Sequence, residues 1–190
     1  MIKVYLSDIQ KNRFYLIPDE IEKILLAAKD AKPYVRTLVE TLVYTGCHIS
    51  EALELTPKRI DLKHQNVVFR SLKKKNDNVF RSVPVPYFYV DTMVAVHHIY
   101  QRQKSNKRLW TWTRPYAYEL IKDVMIYAGI SAGNHRNPKA IRHAYGVRAL
   151  LCNVPLSYLQ RWMGHTDVNS TAIYTDFIKY DTSELVKALL

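Results

Sequence analysis

The apolar positions of this chain change period several times, and each change marks an element. Ile21, Ile24, Leu25 and Ala28 recur at three- and four-residue steps, which predicts a helix with one apolar face. Pro18 suits its first turn, and Asp19 and Glu20 favour the positive end of its dipole. A second helix is expected from Tyr34 to Tyr44, with Val35, Leu38, Val39, Leu42 and Val43 inward and Gly46 as its stop. A short helix around Ser50–Leu55 ends before Pro57. The period then falls toward two. Asn66–Leu72 and Val79–Val85 are rich in valine and phenylalanine, and the KKKNDN between them is a turn-forming polar run. This reads as a β-hairpin with lysines at its tip.

The helical period returns from Tyr87 to Arg102, and Leu109-Trp110 reads as a short strand. The next helix starts near Thr113 or Pro115 and ends at Gly129, with Ala117, Leu120, Ile121 and Val124 as its stripe. Asn137-Pro138 opens another through a side-chain cap and a first-turn proline. Pro155–Met163 is closed by Gly164, and a short helix carries Tyr174. Asp181 and Glu184 resemble a capping box for a final helix ending at Leu190. The expected fold is mostly α with a small antiparallel β-sheet, an α+β class.

Composition narrows the function. With 190 residues the chain has room for one domain with short appendages. Five glycines and eight prolines argue against long disordered tracts. No apolar run approaches the ~20 residues of a membrane span, and MIKVYLSDIQ has no secretory signal pattern. Two cysteines, Cys47 and Cys152, fit a reducing compartment. A cytoplasmic, nucleoid-associated protein with no membrane partner is expected. The formal net charge of +11 is the footprint of a polyanion binder. Lys73, Lys74 and Lys75 form the one dense run of cations. His97, His98, His135, His143 and Cys152 lack metal-ligand spacing, so no metal site is expected. Trp110, Trp112 and Trp162 read as packing aromatics.

The chemistry concentrates between Asn137 and Phe177, where Arg142, His165 and Tyr174 follow one another. A tyrosine attacks a phosphate only where cations balance the charge that builds on the non-bridging oxygens. Arginine suits that task because it is planar, forked and always charged.

Read from Thr45 onward, the chain gives TGCHISEALEL, a lysine-bearing hairpin, a proline-initiated helix with Arg142, then Gly164-His165 and Tyr174. This order resembles the catalytic domain of the tyrosine recombinase, or phage integrase, family from about residue 16 to 178. The steps of 23 residues from Arg142 to His165 and nine from His165 to Tyr174 fit, as does the wording LQRWMGH…STAIYT.

The resemblance implies a site-specific DNA recombinase or integrase that cuts and rejoins double-stranded DNA with neither metal nor other cofactor. Tyr174 would form a 3′-phosphotyrosine bond, Arg142 would clamp the phosphate and His165 would donate to it. The family's hairpin lysine is the general acid; alignment favours Lys73, with Lys74 and Lys75 competing for the role or contacting DNA. Arg136 and His143 are further expected DNA contacts. Lys139 stands where the family usually has histidine. His48 stands where its first box, Thr-Gly-x-Arg-x-x-Glu, has arginine, and Glu51 retains the carboxylate that would order the site. Imidazole offers one or two donors instead of a fork, so cleavage is expected to be slow unless Arg36, Arg136 or Arg148 fills in.

Residues 1–15 are expected to be an arm, 16–178 the catalytic unit, and 179–190 a C-terminal helix for self-association on DNA. Family members usually carry a helical DNA-binding domain ahead of the catalytic one, and here only the arm precedes it. Two alternatives stand beside this reading: a recombinase fold weakened by His48 and used for DNA binding or regulation, and a helix-turn-helix regulator built on Val154–Thr175.

Overall fold

In the computed structural model, which describes residues 13–71 and 79–179 and the side chains of these as far as residue 175, the apolar stripes turn inward. Helices α1 (Pro18–Asp30) and α2 (Pro33–Thr45) each begin on a proline at the first turn. Ile21, Ile24, Ala28, Leu38, Val39, Leu42 and Val43 enter the core. Gly46 ends α2 in the left-handed region at φ 59°, its N–H donating to the Leu42 carbonyl. Helix α3 (Ile49–Leu53) follows directly, with His48 at its cap.

A 3-10 turn (Pro57–Arg59) leads into a three-stranded antiparallel sheet of β1 (Ile60–Asp61), β2 (Asn66–Arg70) and β3 (Phe80–Pro84), in that order. Val67 lies opposite Val83 and Phe69 opposite Arg81. The expected hairpin is there. Strand β1 was not expected: two residues are too few to show alternation, though Ile60, paired with Val67, is fully buried.

The single helix expected from Tyr87 to Arg102 is two, α4 (Tyr87–His97) and α5 (Ile99–Arg102). His98 breaks it by adopting φ 53°, with no glycine or proline to signal the turn. Leu109-Trp110 is not a strand. The Leu109 amide donates to the Leu55 carbonyl (2.8 Å) and the Trp110 indole to the Tyr34 carbonyl (2.8 Å), which pins the segment to its neighbours without a ladder. Trp110 is buried, and Trp112 and Trp162 pack half-buried against the core, as expected of packing aromatics.

Helix α6 (Arg114–Tyr127) is capped by Thr113, and α7 (Pro138–Leu151) by Asn137, whose Oδ1 accepts from the Ala140 amide at 3.1 Å. Helix α8 (Leu156–Met163) ends at Gly164, φ 68°, and α9 (Asn169–Lys179) carries Tyr174. The main core gathers α1 to α4, α6, the sheet and the start of α7. A smaller one, made of Val147, Leu159, Met163 and Tyr174, ties α7, α8 and α9 together. Residues 1–12, the hairpin tip with Lys73, Lys74 and Lys75, and the tail from residue 180 with its expected capping box lie outside the described residues.

Candidate active site

Helix α7 presents Arg142, Tyr145 and Gly146 on one face, because residues three and four apart are neighbours on a helix. Arg142 is 5% exposed. Its Nη1 donates to the Gly46 carbonyl (2.6 Å), and its Nη2 donates to the Met163 carbonyl (2.9 Å) and to His165 Nε2 (2.9 Å). Gly46 and Met163 stand at the C-terminal ends of α2 and α8. Carbonyls there have no partner within the helix and carry the negative end of its dipole, so a buried cation is well placed.

The guanidinium can only donate, which fixes the histidine tautomer. His165 Nε2 accepts from Arg142, so Nδ1 carries the hydrogen and donates to Thr171 Oγ1 at 2.8 Å. The imidazole lies nearly parallel to the Tyr174 ring, with 6.3 Å between centroids and 15° between planes. Tyr174 is 1% exposed. His143 packs against it from a second side at 5.8 Å. Gly146 makes room for it: a Cβ there would stand 2.8 Å from three atoms of its ring. Gly46 plays the same part for Tyr145, whose ring comes within 2.4 Å of where a Cβ would be. Burial raises the Tyr174 phenol above its ordinary range, while the charge of Arg142 pulls it down.

The first box frames the other side. His48 is exposed at the start of α3, and Glu51 Oε2 accepts from its amide at 2.8 Å. Glu51 is 7% exposed. Burial alone would raise its carboxyl, but hydrogen bonds and charge from Arg81, with the His48 amide, outweigh that and hold it below the usual range. Cys47, between them in the chain, is pushed up to about 12 by burial and by Glu51, so its thiol is inert.

Arg142, His165 and Tyr174 therefore meet, and Glu51 lies close enough for its charge to act on Arg142. Lys139 is exposed one turn before Arg142. His143 braces Tyr174, and burial, then Lys139 and Arg142, push its imidazole down to about 4, so as a DNA contact it would be uncharged. Arg136 is tied to the Ile130 carbonyl at 3.4 Å, and Arg36 to Glu40 at 2.7 Å. Arg148, six residues after Arg142 on α7, faces another side of that helix. Lys73, Lys74 and Lys75 lie outside the described residues.

Three residues escaped the sequence reading: Thr171, Gly146 and above all Arg81. Arg81 holds Glu51 through both carboxylate oxygens, each at 2.7 Å, and its Nε donates to the Trp162 carbonyl at 2.7 Å. One signal was available: on β3 it shares the inward parity of Val83, an unusual place for a charge. Beside it opens a cavity of about 560 Å³ lined by Arg81, Ser82, Arg161, Trp162, Gly164 and His165.

A family model described as the phage integrase family matches residues 15–179. The chain is 25% identical to the tyrosine recombinase XerA of Saccharolobus solfataricus over 171 residues, 90% of this chain and 55% of that protein. It is 27% identical to a resolvase of Escherichia coli, covering 89% of this chain and 75% of the resolvase. A crystal structure of the XerH site-specific recombinase, bound to a palindromic difH substrate after cleavage, superposes with a TM-score of 0.77 at 20% identity, over 93% of this chain and 53% of that one. The chain thus spans about half the length of XerA and three quarters of the resolvase. The matched span takes in α1 to α3 and the sheet, which a lone helix-turn-helix at Val154–Thr175 leaves unexplained.

Proposed function

This chain belongs to the phage integrase family, and on that premise we propose that it cleaves and rejoins double-stranded DNA through a covalent bond to Tyr174. The observation that carries this reading is the convergence of Arg142, His165 and Tyr174, joined by a 2.9 Å hydrogen bond and a ring stack. The Tyr174 hydroxyl gives up its proton as its oxygen attacks a backbone phosphorus, the 5′-oxygen takes up a proton as it leaves, and a 3′-phosphotyrosine remains. A second 5′-hydroxyl reverses the step. One difficult displacement becomes two easier ones.

Arg142 neutralises charge on the non-bridging oxygens, using donors already fixed before DNA arrives. In the resting site its Nη2 is spent partly on His165. An incoming phosphate takes over that donor, and His165 Nε2 then becomes a donor itself by taking up a proton from solvent. Thr171 keeps the ring in place meanwhile. Tyr174 is buried, so DNA must shift the part of α9 beyond Thr171 before the phenol meets a phosphorus. Lys73 is assigned the general acid and Lys139 a cation beside the phosphate; Lys74, Lys75 and Arg136 would hold the flanking backbone. Position 48 itself gives the phosphate less than an arginine would, because imidazole lacks the fork.

Residues 16–178 form the catalytic unit of this reading, with 1–15 an arm and 179–190 a tail that packs on a neighbouring protomer on DNA, at the nucleoid. Among the described residues no helix is long and apolar enough to cross a membrane. A pool of nicked duplexes with randomised sequence tests the reading. Wild-type protein should retain some of them as adducts that survive denaturant, and Tyr174→Phe should retain none. Adducts of equal yield with both proteins would remove Tyr174 from the reaction.

A further inference from the structure

The gap at position 48 has a neighbour of the right chemistry. Arg81 enters from β3 with its side chain 9% exposed. Its Nη1 and Nη2 grip the two oxygens of Glu51, three residues along α3 from His48. Its Nε donates to the Trp162 carbonyl, while Arg142 Nη2 donates to the next carbonyl, that of Met163. Two guanidiniums thus hold consecutive carbonyls at the end of α8, directly before Gly164 and His165. The Phe69 ring supports Arg81 from below, with Cζ 5.0 Å from its centroid. On the other side the arginine passes so close to Gly164 that a Cβ there would lie 3.0 Å from its Cδ. It lines the same cavity as His165.

A guanidinium has five N–H donors in a fixed fork. Among the described residues, Glu51 and Trp162 take three from Arg81, which leaves one on each Nη nitrogen. We propose that Arg81 supplies the second guanidinium of the phosphate clamp, replacing from strand β3 the arginine that position 48 lacks, and that Glu51 holds it there for a non-bridging oxygen of the scissile phosphodiester. The proposal rests on the DNA-cleavage reading above. It makes Glu51 the residue that positions a catalytic cation rather than a partner in an inert ion pair.

The rival is a buried pair with no part in the chemistry. Removing both charges separates the two, because replacing a whole buried pair by apolar side chains of similar volume is often neutral for stability. Wild-type protein first selects, from the randomised nicked duplexes, a DNA that forms the Tyr174 adduct. That DNA is then made in two forms, with the scissile phosphate intact or as an uncharged methylphosphonate. Arg81→Met/Glu51→Met should melt within a few degrees of wild type. It should form adduct on the phosphate about 100-fold more slowly, as loss of one fixed donor implies, and on the methylphosphonate only a few-fold more slowly, since no charge there needs a clamp. Arg81→Lys keeps the pair but loses the fork. It should show the same contrast in weaker form, and it carries the test if the double variant does not fold. An equal loss on both DNAs, or no loss on either, overturns the assignment. If wild type captures no DNA from the pool, the cleavage reading itself fails and the clamp falls with it; that outcome is distinct because wild type is then silent.

Discussion

Gly146 shows how closely the chemistry constrains a single residue. It stands in the middle of α7, where glycine is about 0.5–1 kcal/mol worse than alanine. The Tyr174 ring occupies the space a side chain would need. Gly146→Ala should therefore destabilise the protein by about 1–3 kcal/mol, as overpacking does, despite the better helix former. Thermal denaturation checks this, and a variant that melts higher than wild type would show that the ring yields freely. The same scale marks what the sequence could and could not convey. Arg142, His165 and Tyr174 lie within one stretch, so the family resemblance carried by that stretch could single them out together. Arg81 finds its partners 30 and 81 residues away, in Glu51 and Trp162. No local pattern reports such a meeting, and only its inward parity on β3 hinted at it.

Among the elements, helix starts were legible wherever chemistry marks them: Pro18, Thr113 and Asn137 open helices, and Gly46 and Gly164 close them. The break at His98 was not legible, since a left-handed residue other than glycine leaves no mark. That break places His97 at the seam of α2 and α4, fully buried. Its Nε2 bonds Thr37 Oγ1 at 2.9 Å, and the rings of Tyr34 and Trp110 meet its own edge-on at 5.0 Å. Burial first, then the neighbouring Arg102 and His98, pushes its imidazole down to about 4. The unfolded chain takes up this proton near pH 6.5, well before the native state does. The stability contributed by neutral His97 is thus complete above about pH 6.5 and is lost as pH falls toward 4, by roughly 3 kcal/mol at most. Urea unfolding across that range should show the decline, and His97→Phe should flatten part of it. His143, also held near 4, supplies a remainder. An unchanged slope in His97→Phe would mean that His97 is protonated in the fold without penalty.

At the scale of the molecule, two cores meet at the site. The large one fixes α2, α3 and the sheet, and the small one hangs α8 and α9 on α7. Arg142 joins them through Gly46 on one side and Met163 on the other, and Arg81 does so through Glu51 and Trp162. Fold class followed from element order and period, because both are local. The joining of the cores did not, because it depends on side chains meeting across the chain. The net charge of +11 favours a polyanionic partner over a neutral one. The central claim is that Tyr174 becomes bonded to DNA at that junction. Mass spectrometry of the trypsin- and nuclease-digested adduct tests it most directly. A nucleotide linked by its 3′-phosphate to the phenol of Tyr174 is the predicted result. A nucleotide on any other side chain, or one linked through its 5′-phosphate, would contradict it.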